Sequence, residues 1–548
     1  MTDRPLPARV DLAFTGGSLV DGSGAPSHPG TVGSLNGRLL LGEAAWRPEA
    51  GRIIDATGLV VAPGFIDLHS HGGLVILADP RHEPKVRQGV TTELIGVDGN
   101  GYAPFLRQED LLAFVELNGG LDGRPQIDYD WGSVASYIGR YDRGQAVNVA
   151  VMIGNSALRI GAIGWDDRPA DGRALANMQA ILREAMEEGA FGVSSGLDYP
   201  PGSFASTDEL AALTAAAAGL GGFYHTHVRY PLGDRFLDPF REAIEIGRRG
   251  EGPVHLTHFY HHQSYPGGPE LLLELVDGAR RSGMDVTFDA YPYEWASTRL
   301  LIQIPQWVQA GGPMALKERL ADRSVRDQLR AELAARGAAY PSAAGWDDLR
   351  LGAFTRPENL RWESRTLADV MRERGVDAVD AICDLLLSED LRVAQVTSGP
   401  WSETLPHFVR HPAGMVGTDS TFLGEKPSPR TYGSFPRILG QFVRDEGLLS
   451  LEEAVRKMTS APAARLGLPD RGLLRDGYAS DLVVFDPIRV RSNATYDQPR
   501  RYPDGIEYVA VNGELVVDRG THTGALPGRA LRRGRMVLSS GGGGARTT

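Results

Sequence analysis

Short apolar runs separated by turn residues fill the first sixty residues of the chain, and the same texture returns near its end. The early runs include Leu59-Val-Val, and the late ones include Asp481-Leu-Val-Val-Phe and two alternating runs on either side of Asn512-Gly. Alternation of apolar and polar positions is typical of half-buried strands, and Asn-Gly favours a hairpin turn. The pattern predicts that residues 1–62 and 469–535 pair into one small β-sandwich domain.

The middle of the chain alternates apolar, strand-like runs with Ala- and Leu-rich helical stretches. This alternation is typical of α/β folds with parallel strands. Eight such strands fit a (β/α)8 barrel over residues 63–468, whose active residues would lie at the carboxyl ends of the strands. A doubly wound sheet usually has a Gly-rich phosphate loop after its first strand, and this chain has two histidines there. The predicted strands are Gly64–His69, Thr91–Gly96, Val149–Gly154, Gly189–Ser194, Phe223–Val228, Val254–Phe259, Asp285–Tyr291 and Met415–Asp419.

Two stretches fall outside this regular alternation. Residues from about 300 to 405 are too many for one crossover connection, so we expect a helical insertion that covers the strand ends as a lid. The last residues include Gly541-Gly-Gly-Gly, and we expect a disordered tail over residues 536–548.

Composition narrows the classes of partner. The chain has 548 residues, a formal net charge of -12 and a single cysteine. Nucleic acids and anionic membranes both require a basic surface, so neither is an expected partner. No window reaches the length of a membrane span, and a cytoplasmic enzyme is the expectation. Cys383 lies in an amphipathic helical pattern, which predicts core packing and leaves no Cys-based zinc cluster. No pattern in the sequence predicts the oligomeric state.

Two histidines follow the first predicted barrel strand. His69 and His71 are two residues apart, and side chains two apart on a strand point in the same direction. Two converging imidazoles suit a borderline metal such as zinc. Taken alone, a His-x-His pair is more often the polar edge of a loop. The residues at the ends of the other predicted strands decide between a metal site and a loop edge.

Imidazole or carboxylate groups also follow four other predicted strands, at Asp98, His227, His258 and Asp419. The carboxyl ends of barrel strands face one pocket, so it is difficult to explain all of these groups as residues that only support the fold. The set therefore predicts a metal centre. His225, His255 and Asp67 also lie on these strands, and we expect them to be structural residues in the barrel interior.

Motifs along the chain resemble the amidohydrolase superfamily, and within it the N-acyl-D-amino-acid deacylase, or D-aminoacylase, family. The resemblance covers residues from about 10 to 520. The Tyr-Pro-Pro-Gly and Arg-Thr-Tyr-Gly stretches are specific to this branch, whereas His-x-His is shared more widely. The matching stretches are Pro63-Gly-Phe-Ile-Asp-Leu-His-Ser-His, Gln88-Gly-Val-Thr-Thr, Ser195-Gly-Leu-Asp-Tyr-Pro-Pro-Gly, Thr226-His-Val-Arg, Asp289-Ala-Tyr-Pro-Tyr, Pro429-Arg-Thr-Tyr-Gly-Ser-Phe-Pro and Gly477-Tyr-Ala-Ser-Asp-Leu-Val-Val-Phe-Asp.

The resemblance implies a set of metal ligands. His69, His71 and Asp419 would form one site, and His227 and His258 would form most of a second. The deacylases typically have a cysteine in the position that Asp98 occupies here. A carboxylate can also ligate or bridge metals. Zn²⁺ is the expected cofactor, as one or two divalent ions, and the change at Asp98 leaves the metal preference, the metal count and the order of filling open.

The resemblance also implies residues that bind the substrate. The deacylases have a lysine that contacts the substrate carboxylate where this chain has Tyr260. A carboxylate on the small-molecule substrate would then be bound by Arg430, whose guanidinium can form two parallel hydrogen bonds. Tyr291 and Ser297 would be its polar neighbours. The alternatives are a surface ion pair for Arg430 and a packed barrel-mouth residue for Tyr291.

The implied reaction is hydrolysis of an amide by metal-activated water. Asp419 would accept the proton of the water and then deliver it to the leaving amine. The resemblance favours release of a D-amino acid from its N-acyl derivative. Tyr260 and Asp98 keep open a cyclic amide, such as a hydantoin, or a specialised-metabolite amide. A barrel that only binds a ligand is a third hypothesis, and the intact set of ligand-type residues argues against it.

Overall fold

The computed structural model describes residues 7–230, 235–336, 345–399 and 401–534. Two parallel sheets lie at its centre, so the predicted α/β class with parallel strands is confirmed. All residues of these strands are buried, as expected for parallel strands that are covered on both faces. In spatial order the strands of the first sheet are Phe65–Asp67, Val90–Ile95 and Asn148–Val151, and those of the second are Ile153–Gly154, Gly192–Gly196, Phe223–His227, Val254–Leu256, Val286–Ala290 and Gly414–Val416.

The two parallel sheets are joined at both of their edges. Only one residue separates the strand that ends at Val151 from the strand that begins at Ile153. At the other edges, Ser70 and Ser420 form a parallel bridge. Asp419 N–H donates to the carbonyl of His69 at 2.8 Å beside this bridge. The bridge therefore brings the carboxyl ends of the first and last strands together.

Helices connect the strands, and their apolar faces pack on the sheets. Side-chain caps begin several of them: Asp171 accepts from Ala174 N–H, and Ser206 accepts from Glu209 N–H. Leu182, Leu213 and Val276 then pack into the same core as the strands. The helices are Gly73–Ala78, Glu83–Val86, Gln108–Leu117, Val134–Ile138, Asn155–Ile163, Gly172–Glu187, Thr207–Ala218, Asp238–Arg249, Glu270–Arg281, Leu405–Arg410, Arg430–Arg437, Leu451–Met458 and Ser460–Leu466, with a π-helical stretch at Ile438–Asp445.

Both ends of the described chain contribute to one nine-stranded sheet, which we call the terminal sheet. Asn512 and Gly513 both have positive φ, as the predicted hairpin turn requires. A two-layered sandwich and the domain limits at residues 62, 469 and 535 stay predictions. Residues 536–548, the predicted tail, lie outside the described residues. The strand order is Thr521–His522, Glu514–Asp518, Ile506–Val511, Leu482–Phe485, Val60–Pro63, Arg9–Leu19, His28–Leu35 and Arg38–Glu43, and Glu49–Asp55 pairs with Arg9–Leu19.

The insertion before the last parallel strand differs from the prediction, because it contains an antiparallel sheet as well as helices. The three strands pair in the order Trp295–Arg299, Ala394–Ser398 and Arg350–Gly352. Cys383 is buried in the insertion's own core, as expected. In the described part of the chain no helix is long and apolar enough to cross a membrane. The insertion helices are Gln306–Gln309, Gly312–Ala321, Arg323–Arg336, Leu367–Arg374 and Ala378–Ser388.

Candidate metal centre

Ligand-type side chains from five strands lie together at the carboxyl ends of the parallel sheets. Three of these residues turn the chain directly after a strand with a left-handed backbone, at φ values of 53° for Asp98, 34° for His258 and 46° for Asp419. Positive φ is uncommon outside glycine, so the fold holds these three side chains in a specific direction. All six predicted ligands are buried, and they are His69, His71, Asp98, His227, His258 and Asp419.

The Oδ2 oxygen of Asp98 lies at the middle of this group. The other oxygen of this carboxylate, Oδ1, is buried and has no hydrogen-bond partner among the described residues. Asp98 belongs to two clusters of ligand atoms that lie within 4.8 Å of one another, one with His69, His71 and Asp419 and one with His227 and His258. Its Oδ2 lies 3.2 Å from His69 Nε2, 3.6 Å from His71 Nε2, 3.7 Å from His227 Nδ1 and 3.9 Å from His258 Nε2.

The chemistry of these donors fits a divalent transition metal. Zn²⁺ accepts imidazole nitrogen and carboxylate oxygen, and each of the two clusters offers both. A buried carboxylate oxygen without a partner is costly, and Asp98 Oδ1 is such an atom. A cation ligated through this oxygen would satisfy it. The same residues therefore suit one or two ions, with Asp98 shared between the two positions.

Each ligand-type histidine has a further partner on its other ring nitrogen. Partners of this kind fix the orientation and the tautomer of a ligand histidine. The sequence interpretation did not assign them, although Asp198 and Asp289 lie inside the motifs that carry the resemblance. Asp122 lies in a loop that has no pattern of its own. The pairs are His69 Nδ1 with Asp289 Oδ2 at 3.3 Å, His71 Nδ1 with Asp122 Oδ1 at 2.9 Å, His227 Nε2 with Asp198 Oδ2 at 3.0 Å, and His258 Nδ1 with the Tyr230 hydroxyl at 2.6 Å.

The electrostatics of the centre keep its carboxylates ionised. Burial by itself raises the pKa of Asp98, but His69 and the other rings outweigh it and hold that pKa well below its usual range. Burial likewise opposes the shift at Asp419, where Arg430 and His69 lower the pKa to about 2. Metal ligation requires the ionised form, so both groups are ready to bind a cation.

The three residues expected to be structural have structural partners. Asp67 accepts from the backbone N–H of His69 at 3.1 Å and from the buried ammonium of Lys85. His225 Nε2 lies 3.1 Å from the carbonyl of Leu68. His255 Nε2 lies 3.0 Å from Asp289 Oδ2, and the ligand atoms of His225, His255 and Asp289 also lie within 4.8 Å of one another.

Arg430 lies beside the metal-type cluster and is fully buried, so the alternative of a surface ion pair is wrong. Its Nη2 lies 2.8 Å from Asp419 Oδ2 and donates to the carbonyl of Ser297 at 3.1 Å. Its Nε and Nη1 have no hydrogen-bond partner among the described residues. The Tyr291 ring lies under the guanidinium at 4.4 Å. Nε and Nη1 are thus candidate donors to an anion, beside the Tyr291 hydroxyl, which also interacts with the guanidinium.

The other two residues predicted to bind the substrate, Ser297 and Tyr260, already contact other side chains of the protein. The Ser297 hydroxyl accepts from Thr421 at 2.8 Å, so it already has a protein partner. The Tyr260 ring stacks between Tyr230 and Trp401 and lies 6.3 Å from the His258 ring. Tyr260 is thus held by ring contacts beside the centre. Its role in binding stays a prediction.

Comparison with known proteins gives full-length matches. Residues 52–517 match the model of a family described as the amidohydrolase family. The chain is 34% identical to an N-acyl-D-aspartate deacylase of Alcaligenes xylosoxydans xylosoxydans, over 98% of this chain and 99% of that protein. It is 33% identical to a D-aminoacylase of the same organism, over 95% and 98% of the two chains.

A solved structure matches equally well. This is the N-acyl-D-glutamate deacylase from Bordetella bronchiseptica, complexed with zinc and a phosphonate inhibitor that mimics the tetrahedral intermediate. The TM-score is 0.80 at 30% sequence identity, and the match covers 96% of this chain and 100% of that one. Two of these relatives are named for different substrates, N-acyl-D-aspartate and N-acyl-D-glutamate, so identity alone does not distinguish between their specificities.

Proposed function

This chain belongs to the amidohydrolase family, and from that premise we propose that it is a metal-dependent hydrolase that releases D-amino acids from their N-acyl derivatives. The observation that carries the proposal is a juxtaposition: two clusters of ligand-type groups share Asp98, and beside them lies the buried Arg430, whose Nε and Nη1 have no hydrogen-bond partner among the described residues. The first feature suits amide hydrolysis and the second suits a substrate with a carboxylate. The deacylases of N-acyl-D-aspartate and N-acyl-D-glutamate among its relatives support this substrate class.

We also propose that the two parallel sheets close into the (β/α)8 barrel predicted from the sequence. The bridge between Ser70 and Ser420 and the near-continuity of the strands at Val151 and Ile153 support closure. Active residues of such barrels lie at the carboxyl ends of the strands, where the predicted ligands are.

The proposed metal ligands are His69, His71 and Asp419 for one ion and His227 and His258 for a second, with Asp98 shared between them. Zn²⁺ is the proposed ion. When bound, it would polarise the scissile carbonyl and lower the pKa of a coordinated water toward ~7. The partners Asp289, Asp122, Asp198 and Tyr230 would hold the four rings in the tautomer that ligation needs.

Arg430 would bind the carboxylate of the substrate. Its Nη2 is held by Asp419 and by the carbonyl of Ser297, which leaves Nε and Nη1 to donate. These two groups lie on different edges of the guanidinium, so each would donate one charge-assisted hydrogen bond to an oxygen of the substrate carboxylate. This contact would place the amide of the substrate at a set distance from the metal ligands.

Asp419 would carry the proton. Its Oδ1 lies 3.3 Å from His71 Nε2, and its Oδ2 is held by Arg430. Because its pKa is lowered to about 2, the group is ionised at neutral pH and can accept a proton from the attacking water. The protonated Asp419 would then donate to the nitrogen of the leaving amine, which is a poor leaving group without that proton.

The substrate class is tested by assaying the zinc-loaded protein with N-acetyl-D-amino acids, their L-enantiomers, hydantoins and dihydropyrimidines. We expect hydrolysis of the D-acyl compounds and little of the others. Failure to hydrolyse any N-acyl-D-amino acid would refute the proposed function.

The role of Asp419 is tested with Asp419→Asn. We expect kcat to fall by at least about 100-fold, because general acid–base groups contribute about that much or more. Metal content, measured by atomic emission, should remain within about a factor of two of wild type. Asp167→Asn, which changes an exposed aspartate, is the matched control. Near-normal turnover by Asp419→Asn would show that another group carries the proton.

A further inference from the structure

The two clusters of ligand-type side chains differ in the number of donors that they offer. One has two imidazoles and two carboxylates, and the other has two imidazoles and only the carboxylate of Asp98, which both share. Structural zinc sites are almost always closed by four protein donors, whereas catalytic sites have three and an open position. We call His69, His71, Asp98 and Asp419 the first cluster, and Asp98, His227 and His258 the second cluster.

The donors of the first cluster already have the spacing of a tetrahedral zinc site. Zinc bonds of about 2.0–2.1 Å place neighbouring donors of a tetrahedron about 3.3–3.4 Å apart. All four separations between a ring nitrogen and a carboxylate oxygen in this cluster are close to that value. An ion could therefore bind with little movement of the side chains. The separations are 3.2 Å from His69 Nε2 to Asp98 Oδ2, 3.5 Å from His69 Nε2 to Asp419 Oδ1, 3.6 Å from His71 Nε2 to Asp98 Oδ2, and 3.3 Å from His71 Nε2 to Asp419 Oδ1.

The cation beside the first cluster does not occupy its ligand atoms. Arg430 Nη2 lies 2.8 Å from Asp419 Oδ2, whereas it is Asp419 Oδ1 that faces the two rings. The carboxylate thus has one oxygen for the guanidinium and one for an ion.

The second cluster is spaced less evenly. Asp98 Oδ2 lies 3.7 Å from His227 Nδ1 and 3.9 Å from His258 Nε2, but the two ring nitrogens are only 3.0 Å apart. His258 Nε2 also lies 3.2 Å from the hydroxyl of Thr257. An ion in this cluster would have to replace these contacts between protein groups, and each lost hydrogen bond reduces its net affinity.

The groups behind the rings also favour the first cluster. Each ring of the first cluster is bonded to a buried carboxylate, Asp289 or Asp122, whose side chains are 0% and 3% exposed. In the second cluster one ring is bonded to Asp198, whose side chain is 23% exposed, and the other to the hydroxyl of Tyr230. A carboxylate behind a ligand ring makes the ring a stronger donor, and burial strengthens that effect.

We propose that the first cluster binds its ion more tightly than the second, so that it fills first and the ion of the second cluster is the exchangeable one. Donor number, donor spacing and the groups behind the rings all favour this order. The inference rests on the proposed function in one respect, the placement of two ions at these ligands. It assigns the order of filling, which the shared position of Asp98 does not decide by itself.

Zinc titration of the metal-free, full-length protein in competition with a chromogenic chelator tests this order. We expect two phases of one equivalent each, with Kd values that differ by at least about 100-fold, because the groups behind the ligands alone change metal affinity by about 10- to 100-fold. Equal affinities for the two ions, or a single ion in all, would overturn the inference.

Matched variants assign the two phases to the clusters. His258→Ala removes a donor of the second cluster and should abolish only the weaker phase, whereas His71→Ala should abolish the tighter one. The milder pair is Asp122→Asn, which should weaken the tighter phase by about 10- to 100-fold, and Asp198→Asn, which should weaken only the other phase. The opposite assignment in either pair would overturn the inference, and circular dichroism checks the fold of each variant.

Anomalous diffraction from crystals of the unchanged protein does not depend on the folding of a variant. With one equivalent of zinc, we expect the main peak among His69, His71 and Asp419. The peak between His227 and His258 should have about one tenth of its height or less, which is the distribution that a difference of about 100-fold in Kd gives. A higher peak between His227 and His258 would overturn the inference.

Both measurements are made without substrate, so they separate the inference from the proposed function. A protein that fills the first cluster first but hydrolyses no N-acyl-D-amino acid would retain the inference and refute the proposed substrate class. A protein that hydrolyses these compounds but fills the second cluster first would retain the proposed function and refute the order of filling.

Discussion

A single carboxylate oxygen, Oδ2 of Asp98, lies within 4 Å of nitrogens from four imidazoles. Sequence reasoning identified Asp98 as a ligand-type residue because it follows a strand, but it did not predict this central position. The position depends on the left-handed turn at Asp98 and on the bridge that closes the strand ends, and neither has a local sequence signal. Carboxylate is a harder ligand than thiolate, so this residue bears directly on metal choice.

Asp122 gives a prediction for the residues that support the ligands. Its Oδ1 bonds to His71 Nδ1 at 2.9 Å, and its Oδ2 accepts from the Tyr102 hydroxyl at 2.5 Å. Asp122→Asn should weaken zinc binding by about 10- to 100-fold, because the amide no longer fixes the ring of His71 as an anion does.

Competition with a chromogenic chelator measures this affinity. The exposed Asp128→Asn, in the same loop region, is the control and should bind zinc as wild type does. If Asp122→Asn and the control bind zinc equally, then Asp122 does not support the site.

At the scale of secondary structure, one buried ion pair ties a helix to the strand that carries the first histidines. Lys85 in the helix Glu83–Val86 donates to Asp67 in the strand Phe65–Asp67, and both side chains are fully buried. Lys85 also donates to the Thr418 hydroxyl at 2.7 Å, beside the last parallel strand. The pair thus connects three elements below the metal centre.

Lys85→Met should lower the free energy of unfolding by about 3–5 kcal/mol, because Asp67 would be left buried and unpaired. Urea denaturation measures the change. Arg81→Met is the matched control, since Arg81 forms a surface pair with Glu83 and is 52% exposed. That pair should contribute less than about 1 kcal/mol. If Lys85→Met lowers the free energy of unfolding no more than Arg81→Met does, then the buried pair between Lys85 and Asp67 does not stabilise the fold.

The parallel strands could be predicted from sequence because short runs rich in apolar and β-branched residues alternate with helical stretches along the chain. The antiparallel sheet of the insertion could not. Its strands Trp295–Arg299, Arg350–Gly352 and Ala394–Ser398 are short and separated by many residues, and their pairing depends on tertiary contacts. The same holds for Asp122, whose role comes only from its distance to His71. Local pattern therefore predicted the ligand-type residues that lie together, but not the groups that orient them.

For the whole molecule, the ligand-type groups come from five parallel strands, so a bound ion would link elements far apart in the chain. A ligand that binds only the folded state stabilises it by an amount that grows with the logarithm of the free ligand concentration relative to Kd, about 4 kcal/mol at 1,000 times Kd. We expect chelation of the metal to lower Tm by on the order of 5 °C, because one kcal/mol shifts Tm by only about 2 °C or less in a large protein.

Differential scanning fluorimetry of the native and chelated protein measures this shift. Zinc added back should restore the original Tm, and magnesium is the control because it binds imidazole poorly. An unchanged Tm after removal of the metal, verified by atomic emission, would show that the ion does not contribute to global stability.

The pairing of the terminal sheet has a consequence for biosynthesis. The strand Val60–Pro63 is separated by Gly64 alone from the strand that leads to His69 and His71, and Pro63 is paired with Leu482. Chains emerge from the ribosome amino end first, so the histidines are made long before the segment that supports their strand. The nascent chain must therefore keep the first two of its predicted metal ligands without the strand pairing that supports them until nearly all of the protein has been synthesised.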